Sequence, residues 1–230
     1  MATNTQTYDV DIADAEYLRH GDTPLMARLF KPSGSGPFPI MVELHGGAWV
    51  GGDRHNGDAA NEALAKNGVI VVALDFRTEA PYPASLADIH YGIRWCKTQA
   101  EAWNGHPDRV GAMGTSSGAH QAMLLGMRPQ DARYVALSLP TGASAVDGTL
   151  GCVILCSPVI DPLGRYLYAK GLRQDCTPPA GMAALMPLVP WVPLVAHTRP
   201  CYSACGLRTH ATPRCHSRQA LRRWMEPWGA

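Results

Sequence analysis

The sequence of 230 residues lacks the features that place a protein in a membrane or on a nucleic acid. It contains no apolar run near the roughly 20 residues that a helix needs to cross a bilayer. The opening segment, MATNTQTYDV, lacks the basic and apolar stretches of a signal peptide. The formal net charge of +1 provides no excess of positive charge for nucleic acid or an anionic surface. We therefore predict a cytoplasmic protein with no membrane span and no nucleic-acid partner.

Lysine and carboxylates are nearly missing from the last quarter of the chain. Residues 1–175 contain 14 Lys and Arg and 18 Asp and Glu, whereas residues 176–230 contain six Arg, no Lys and one carboxylate, Glu226. The same last 55 residues hold four of the seven cysteines and eight of the 19 prolines. This break in composition predicts a folded core over 1–175 and an atypical Pro/Cys/Arg-rich tail over 176–230.

The cysteines are odd in number and come without an export signal, so we predict that they are mostly reduced thiols. The motifs described below require neither a metal ion nor an organic cofactor, and we expect neither. With 46% hydrophobic and 17% charged residues, the composition is that of one ordinary globular domain. It carries no information on the oligomeric state.

Short apolar segments alternate with segments of helical spacing along the core. GVIVVALDFR is the strongest strand signal, because it is β-branched and apolar on both faces, as in the centre of a parallel sheet. Further strands are predicted in IMVELHGG, RVGAMG and CVILCSPV, and helices in GDAANEALAKNG, PASLADIHYGIRWCKTQAEAW and SGAHQAMLLGM. TYDVDIA and LMARLFKP predict two antiparallel strands before them. This order predicts a three-layer α/β sandwich with a mostly parallel sheet, in which the C-terminal strands are missing or altered.

Two adjacent serines lie among small residues in GAMGTSSGAH, residues 111–120. A GxSxG turn places its serine on a sharp strand-to-helix bend, and glycines two residues before and after it let the strand and the helix approach closely. Ser116 has Gly114 and Gly118 at those offsets, whereas Ser117 has no glycine at either. The spacing therefore predicts Ser116 as a nucleophile, near a helix N-terminus whose dipole favours developing negative charge.

The motif HGGAW, residues 45–49, directly follows the predicted strand IMVEL. An oxyanion needs two or three backbone N–H donors that converge on one point, and glycines let the backbone come close enough. We predict that the amides of Gly46 and Gly47 are donors and that the amide of Ser117, directly after the nucleophile, is another. Because the motif precedes GTSSG in the expected order, it indicates an oxyanion hole rather than a plain glycine turn.

These motifs make the chain resemble the esterase/lipase branch of the alpha/beta-hydrolase superfamily, specifically the HGGxW proteins related to hormone-sensitive lipase. HGGAWVGGDR resembles the oxyanion loop of that branch, and GTSSGAH resembles its serine turn. DFRTEAPYPASLADI and SPVIDP resemble two further family segments, and the likeness covers roughly residues 8–175. The resemblance implies an alpha/beta-hydrolase sandwich. It also implies hydrolysis of a small-molecule carboxylic ester, with a short acyl group, through a serine acyl-enzyme.

The other catalytic residues of that family, an Asp and then a His near the C-terminus, are not identifiable in this chain. After Asp175 the only carboxylate is Glu226, and no His follows it. His197, His210 and His216 do not lie in a segment that resembles the family's histidine loop. The sequence therefore predicts the nucleophile without its acid and base.

Asp161 is an alternative acid, because some alpha/beta hydrolases carry their acid directly after the sixth strand. The other interpretation is a structural carboxylate that caps a turn, a role that suits an Asp before Pro162. Both interpretations remain open on the sequence alone.

Other polar and aromatic residues near the motifs have structural interpretations. His45 is predicted to hold the oxyanion loop by hydrogen bonds. Trp49 either lines an acyl pocket or anchors that loop. Asp75 and Arg77 are predicted to pair with each other or to cap the loop after their strand.

Three functions are compatible with these residues. The leading one is a carboxylic-ester hydrolase that uses Ser116. The second is a catalytically impaired or inactive protein of the same fold, either a truncated or frameshifted product or a binding module. The third is a peptidase on the same fold, which amide substrates would distinguish from an esterase.

The break in composition generates a prediction about the gene. If residues from about 172 onward come from a shifted reading frame, another frame of the coding DNA will encode strand-like sequence that contains an Asp and a His. The measurement is the DNA sequence of codons 165–230 translated in all frames. Two alternative frames without such a continuation would contradict the frameshift and leave the tail as an atypical or disordered segment.

Overall fold

The computed structural model of the chain describes residues 7–140, 146–165, 167 and 201–204, the last four by their backbone only. Within these residues, seven strands form one sheet. Their bounds are Val10–His20 (β1), Thr23–Pro32 (β2), Phe38–Leu44 (β3), Ile70–Leu74 (β4), Gly105–Thr115 (β5), Cys152–Cys156 (β6) and Cys201–Ala204 (β7).

Helices lie between the parallel strands, where the sequence predicted them. They are Asp58–Ala65 (α1), Ala84–Gln99 (α2) and Ser117–Met127 (α3), and a short 3-10 helix, Glu101–Trp103, follows α2. No helix in the described part of the chain has the length and apolar character needed to cross a membrane.

The sheet is mixed, and its strand order is β1-β2-β4-β3-β5-β6-β7. β2 pairs in antiparallel with β1 and β4, and the other neighbours pair in parallel. Leu44 at the end of β3 lies opposite Leu74 of β4 and Gly114 of β5, and Gly114 lies opposite Leu155 of β6. The carboxyl ends of these strands therefore meet at one edge of the sheet, which is where open α/β sheets bind ligands.

Helices cover both faces of the sheet, because the parallel strands are apolar on both sides. Ile40 and Val42 of β3 belong to a large core that includes residues of α2 and α3. Met41, between them, belongs to a second core with Ala65 of α1. This alternation along one strand confirms the predicted three-layer α/β sandwich.

The tail contributes one strand that the sequence did not predict. β7 pairs in parallel with β6, with Ser203 opposite Ile154. Frequent prolines after Cys176 argued against a strand, but the segment 201–204 contains none and lies at the end of the described sheet, where a strand needs only one partner. Most of the tail lies outside the described residues, so the division into a core and a tail remains a prediction.

A carboxylic acid is buried on the face of the sheet that α1 covers. Glu43 of β3 is 5% exposed, and its Oε2 has no hydrogen-bond partner among the described residues. Burial raises the pKa of Glu43 to about 7; the buried Asn61 amide of α1 opposes the rise, and the Asp58 carboxylate adds to it. The folded protein therefore holds this proton well above the pH at which an exposed Glu loses it.

We expect Glu43→Gln to remove a pH-dependent loss of stability. The pKa of Glu43 is about 7 in the folded protein and 4.5 ordinarily, so the folded state keeps the proton longer than the unfolded state. The wild-type free energy of unfolding should therefore fall as the pH rises through this interval, by roughly 3 kcal/mol in all. The neutral Gln lacks this dependence.

Urea unfolding at several pH values between about 5 and 8 measures the effect. The control is Glu62→Gln, because the Glu62 side chain of α1 is 42% exposed and pairs with Lys66. Parallel pH profiles for the wild type and Glu43→Gln would contradict the prediction.

Candidate active site

Ser116 lies on the bend between β5 and α3 in a backbone conformation that non-glycine residues rarely adopt. Its φ is +55° and its ψ is −114°, a conformation that costs about 1–3 kcal/mol and persists only when the surroundings hold it. The Ser116 amide donates to the Cys156 carbonyl at 2.9 Å, and the Ser116 carbonyl accepts from the amides of His120 at 3.1 Å and Val159 at 3.4 Å. Ser116 is half-buried, whereas Ser117 is buried.

The glycines on either side of Ser116 lie in contacts that a side chain would prevent. A Cβ atom at Gly114 would lie 2.5 Å from the carbonyl carbon of Gly118, and a Cβ atom at Gly118 would lie 2.2 Å from the Leu44 carbonyl oxygen. Real Cβ atoms essentially never approach other heavy atoms so closely. The end of β3, the end of β5 and the start of α3 therefore pack here only because both residues are glycine.

The HGGAW motif begins a loop over residues 45–54, which we call the glycine loop. A Cβ atom at Gly46 would lie 3.1 Å from the Thr115 carbonyl oxygen and 3.4 Å from Ser116 Cβ. The structure thus brings together Gly46 and Ser116, two predicted site residues that are distant in the sequence. Gly46 is half-buried, and its neighbour Gly47 is exposed.

The amides predicted as oxyanion donors have no backbone acceptor within the described structure. Neither Gly46 nor Gly47 donates to a backbone carbonyl of the described residues. Ser117 is the first residue of α3, and the first four amides of a helix have no partner inside it. The role of these three N–H groups as oxyanion donors stays a prediction.

His45 and Trp49 hold the glycine loop on the core. His45 is 2% exposed; its ring stacks on Phe76 with 4.2 Å between ring centroids, and its Nδ1 donates to the Gly46 carbonyl at 2.8 Å. Burial lowers the pKa of His45, which keeps the ring neutral. Trp49 is 6% exposed and packs edge-on against His120, with 5.7 Å between ring centroids. His45 has the structural role predicted for it.

A small cavity lies behind the glycine loop, next to the first turns of α2 and α3. It is lined by Trp49, Phe76, Arg77, Ala80, Tyr82, Ser85, Leu86 and Gln121. Trp49 Nε1 and Gln121 Oε1 are buried and have no hydrogen-bond partner among the described residues. Because Trp49 is buried and its ring packs on His120, the structure favours the anchor among the two roles considered for Trp49.

Asp75 and Arg77 bind other partners, so of the two roles predicted for them the pairing with each other was wrong. Arg77 instead binds Asp88 through its Nε at 2.8 Å and its Nη2 at 2.7 Å. Asp88 is fully buried on α2, so it needs a cation beside it more than the half-exposed Asp75 does. Asp75 pairs with Arg54 of the glycine loop, a residue that sequence reasoning missed although it ends the motif HGGAWVGGDR.

No base for Ser116 lies among the residues that the structure describes. The histidine hydrogen bonds in that part of the chain go to other partners, and none joins the Ser116 side chain. His197, His210 and His216 lie outside the described residues. The described residues therefore bring Gly46 and Ser116 together and show no histidine hydrogen-bonded to that serine.

Asp161 has the hydrogen bonds of a cap at the start of a short helical segment, residues 162–165. Its Oδ1 accepts from the Gly164 amide at 2.8 Å, and its carbonyl accepts from the Arg165 amide at 3.0 Å. Pro162 directly follows it, as is common at the first position of a helix. These bonds favour the capping interpretation of Asp161, and no hydrogen bond joins it to a histidine of the described residues.

Metal-binding groups are not assembled in the described part of the chain. There, no three side chains of His, Cys, Asp or Glu lie close enough together to hold a metal ion. Cys96, Cys152 and Cys156 form no disulfide within the described residues.

A serine on a strained strand-to-helix bend, beside a glycine loop at the carboxyl edge of this mixed sheet, defines the chain as an alpha/beta hydrolase. Solved structures show the same fold. Esterase LipW from Mycobacterium marinum matches with a TM-score of 0.56 and 24% identity, over 77% of this chain and 52% of that chain. The thermophilic esterase Est2 from Thermogutta terrifontis, solved with butyrate bound, matches with a TM-score of 0.56 and 22% identity, over 79% and 68%.

The chain belongs to the BD-FAE family, an esterase/lipase family of the alpha/beta hydrolases, whose model matches residues 29–149. Esterase LipC of Mycobacterium tuberculosis is 32% identical over 120 residues, which are 50% of this chain and 29% of that protein. Carboxylesterase NlhH of the same species is 34% identical over 97 residues, 40% of this chain and 30% of that protein. Isoprenylcysteine alpha-carbonyl methylesterase of Arabidopsis thaliana is 34% identical over 107 residues, 45% and 25%. The chain thus spans less than a third of the length of these curated relatives.

We expect Gly118→Ala to destabilise the protein by about 3 kcal/mol or more. The new Cβ atom would lie 2.2 Å from the Leu44 carbonyl oxygen and 2.4 Å from the His45 carbonyl oxygen, and backbone atoms inside a sheet cannot move aside. The control is Gly51→Ala, where no atom lies within 4 Å of the new Cβ, and it should change stability by less than about 0.5 kcal/mol. Urea unfolding measures both, and equal stabilities of the two variants would contradict the prediction.

Proposed function

We propose that the protein hydrolyses carboxylic esters through an acyl-enzyme on Ser116. The observation that carries the proposal is the contact of the Gly46 backbone with Ser116 at the carboxyl edge of the sheet. Nucleophilic acyl transfer requires a hydroxyl that reaches the acyl carbon and N–H donors about 2.7–3.1 Å from the oxygen that becomes the oxyanion. Membership of an esterase/lipase family supports the same reaction class.

The reaction follows from these positions. Ser116 Oγ forms a bond to the acyl carbon while a base takes its proton, and the carbonyl electrons move to the oxygen. The amides of Gly46, Gly47 and Ser117 bind that oxyanion, and the N-terminus of α3 adds its positive dipole. Collapse of the intermediate breaks the ester C–O bond, and the base gives its proton to the departing alcohol. Water, deprotonated by the same base, then releases the acid and restores the serine.

The base and the acid that orients it belong to the proposal as unassigned groups. We infer that the histidine comes from outside the described residues, because no hydrogen bond joins the Ser116 side chain to a histidine within them. Asp161 is a weak candidate for the acid, because its Oδ1 already accepts the hydrogen bond of a helix cap from the Gly164 amide. No metal ion or organic cofactor takes part in this chemistry.

The substrate class in the proposal is a small-molecule ester with a short acyl group. The relatives named esterase or carboxylesterase support the ester, and the short acyl group rests on the resemblance to the HGGxW esterases. A comparison of the hydrolysis rates of p-nitrophenyl acetate and p-nitrophenyl palmitate tests the preferred length of the acyl group. An anilide of acetic acid tests the alternative of a peptidase.

A second candidate is an inactive protein that keeps the fold and binds ligands at this edge. The lack of any hydrogen bond between Ser116 and a histidine of the described residues favours it. An oxyanion hole without a base can still give roughly 10³-fold acceleration over water, so a faint rate alone would not demonstrate a triad.

We expect the purified protein to turn over p-nitrophenyl acetate and Ser116→Ala to reduce kcat by at least about 10³-fold. The control is Ser117→Ala, which keeps the backbone amide and should retain turnover within about tenfold. The measurement is the initial rate of p-nitrophenol release. Equal rates for the wild type and Ser116→Ala would refute the proposed function and support the inactive alternative.

A further inference from the structure

Asp75, directly after β4, binds Arg54 of the glycine loop through both of its carboxylate oxygens. Its Oδ1 accepts from the Arg54 amide at 2.9 Å, and its Oδ2 accepts from Arg54 Nη1 at 2.7 Å. The backbone of Asp75 is itself fixed, because its carbonyl accepts from the Tyr17 hydroxyl at 2.5 Å and its amide donates to the Met26 carbonyl at 2.8 Å. Asp75 therefore ties the far end of the glycine loop to the sheet.

Arg54 is held from a second side by β1. Its Nε and Nη2 donate to Asp14 Oδ2 at 3.2 Å and 3.0 Å, and Arg28 also donates to Asp14 at 2.9 Å. The Arg54 guanidinium makes three hydrogen bonds to two carboxylates, and the Arg54 backbone amide makes a fourth bond to Asp75. These bonds together fix the orientation of the side chain. The position of Arg54 is therefore set by β1 and β4 together.

The segment next to Arg54 packs directly on the predicted oxyanion residues. A Cβ atom at Gly52 would lie 2.3 Å from the Gly46 carbonyl oxygen and 2.5 Å from His45 Nδ1. The Gly51 amide donates to the Gly47 carbonyl at 3.1 Å. A displacement of Arg54 would therefore move the backbone that supports Gly46 and Gly47.

The glycine loop needs such support because its backbone is strained. Gly47 has a φ of +130°, and the non-glycine residues Ala48 and Trp49 have φ values of +55° and +66°. Conformations of this kind persist only where surrounding contacts over-determine them. Trp49 is anchored on one side by its buried ring, and the ion pair at Arg54 fixes the other side of the loop.

We propose that Asp75 is a positioning residue for the oxyanion amides and that it acts through Arg54 on the backbone of Gly46 and Gly47. The inference rests on the proposed function, since it assigns to the ion pair an effect on the stabilisation of the oxyanion. Removal of the ion pair should misplace the amides and so weaken binding of the transition state more than binding of the substrate.

The test compares Asp75→Asn with Asp131→Asn. Asp131 is a matched control because its carboxylate also accepts from the backbone amide and the guanidinium of one residue, Arg133, at 3.0 Å and 2.5 Å. It lies after α3 and makes no contact with the glycine loop among the bonds described above. Both variants lose an ion pair between a carboxylate and an arginine. If the loss of such a pair lowered kcat by itself, kcat would fall in both variants.

We expect Asp75→Asn to lower kcat for p-nitrophenyl acetate by about 10- to 100-fold while KM stays within about twofold. Arg54→Lys, which keeps the positive charge and the backbone amide, should lose less than Asp75→Asn. Asp131→Asn should keep the wild-type kcat. In amide hydrogen exchange followed by mass spectrometry, peptides over residues 46–52 should exchange faster in Asp75→Asn and at the wild-type rate in Asp131→Asn.

The two proposals fail in different ways. Wild-type turnover that depends on Ser116, together with equal kcat in Asp75→Asn and Asp131→Asn, would overturn the positioning role and leave the proposed function standing. If the wild type has no turnover that depends on Ser116, the proposed function fails. The rate of amide hydrogen exchange over residues 46–52 then shows whether Asp75 holds the glycine loop. Unchanged exchange of residues 46–52 in Asp75→Asn would overturn the inference whatever the activity.

Discussion

Contacts between main-chain atoms, made possible by glycine, are the constraint on which this site depends. The start of α3 lies on the end of β3 because Gly118 has no side chain, and the glycine loop lies on the bend at Ser116 because Gly46 has none. Such contacts are fixed by the register of the sheet and by covalent geometry, so they do not adapt as side chains do. An oxyanion hole benefits from this rigidity, because its N–H groups must be in place before charge develops.

The strained residues of the site lie next to the buried strands of the sheet. Ser116 and Trp49 both have positive φ. Ser116 directly follows β5 and Trp49 lies a few residues after β3, and the last residues of both strands are mostly buried. The parallel strands gain their stability from covering helices rather than from the edge where they end. That edge is therefore free to hold backbone conformations that would be too costly in an isolated loop.

The sequence predicted those parts of the molecule that depend on local pattern. The apolar run of β4 predicted a buried strand, and the glycine spacing around Ser116 predicted a strand-to-helix bend; the structure agrees with the strand, the bend and the helix. Pairings between distant segments were harder to predict: nearness in sequence suggested that Asp75 pairs with Arg77, whereas its partner is Arg54 on another loop. The strand β7 was missed because the frequent prolines around it argued against any strand, although the four residues 201–204 contain none. The base and acid could not be assigned, because no segment after β6 has the spacing that marks them.

The hydrogen bonds of Ser116 with Cys156 and Val159 have a consequence for how the protein can vary. They join the backbone of Ser116 to the segment that leaves β6, so these few residues fix the position of the Ser116 backbone. An insertion or deletion between Cys156 and Val159 would shift the serine itself. Laboratory evolution aimed at new substrates should therefore keep the length of this segment constant and introduce its length changes beyond Val159.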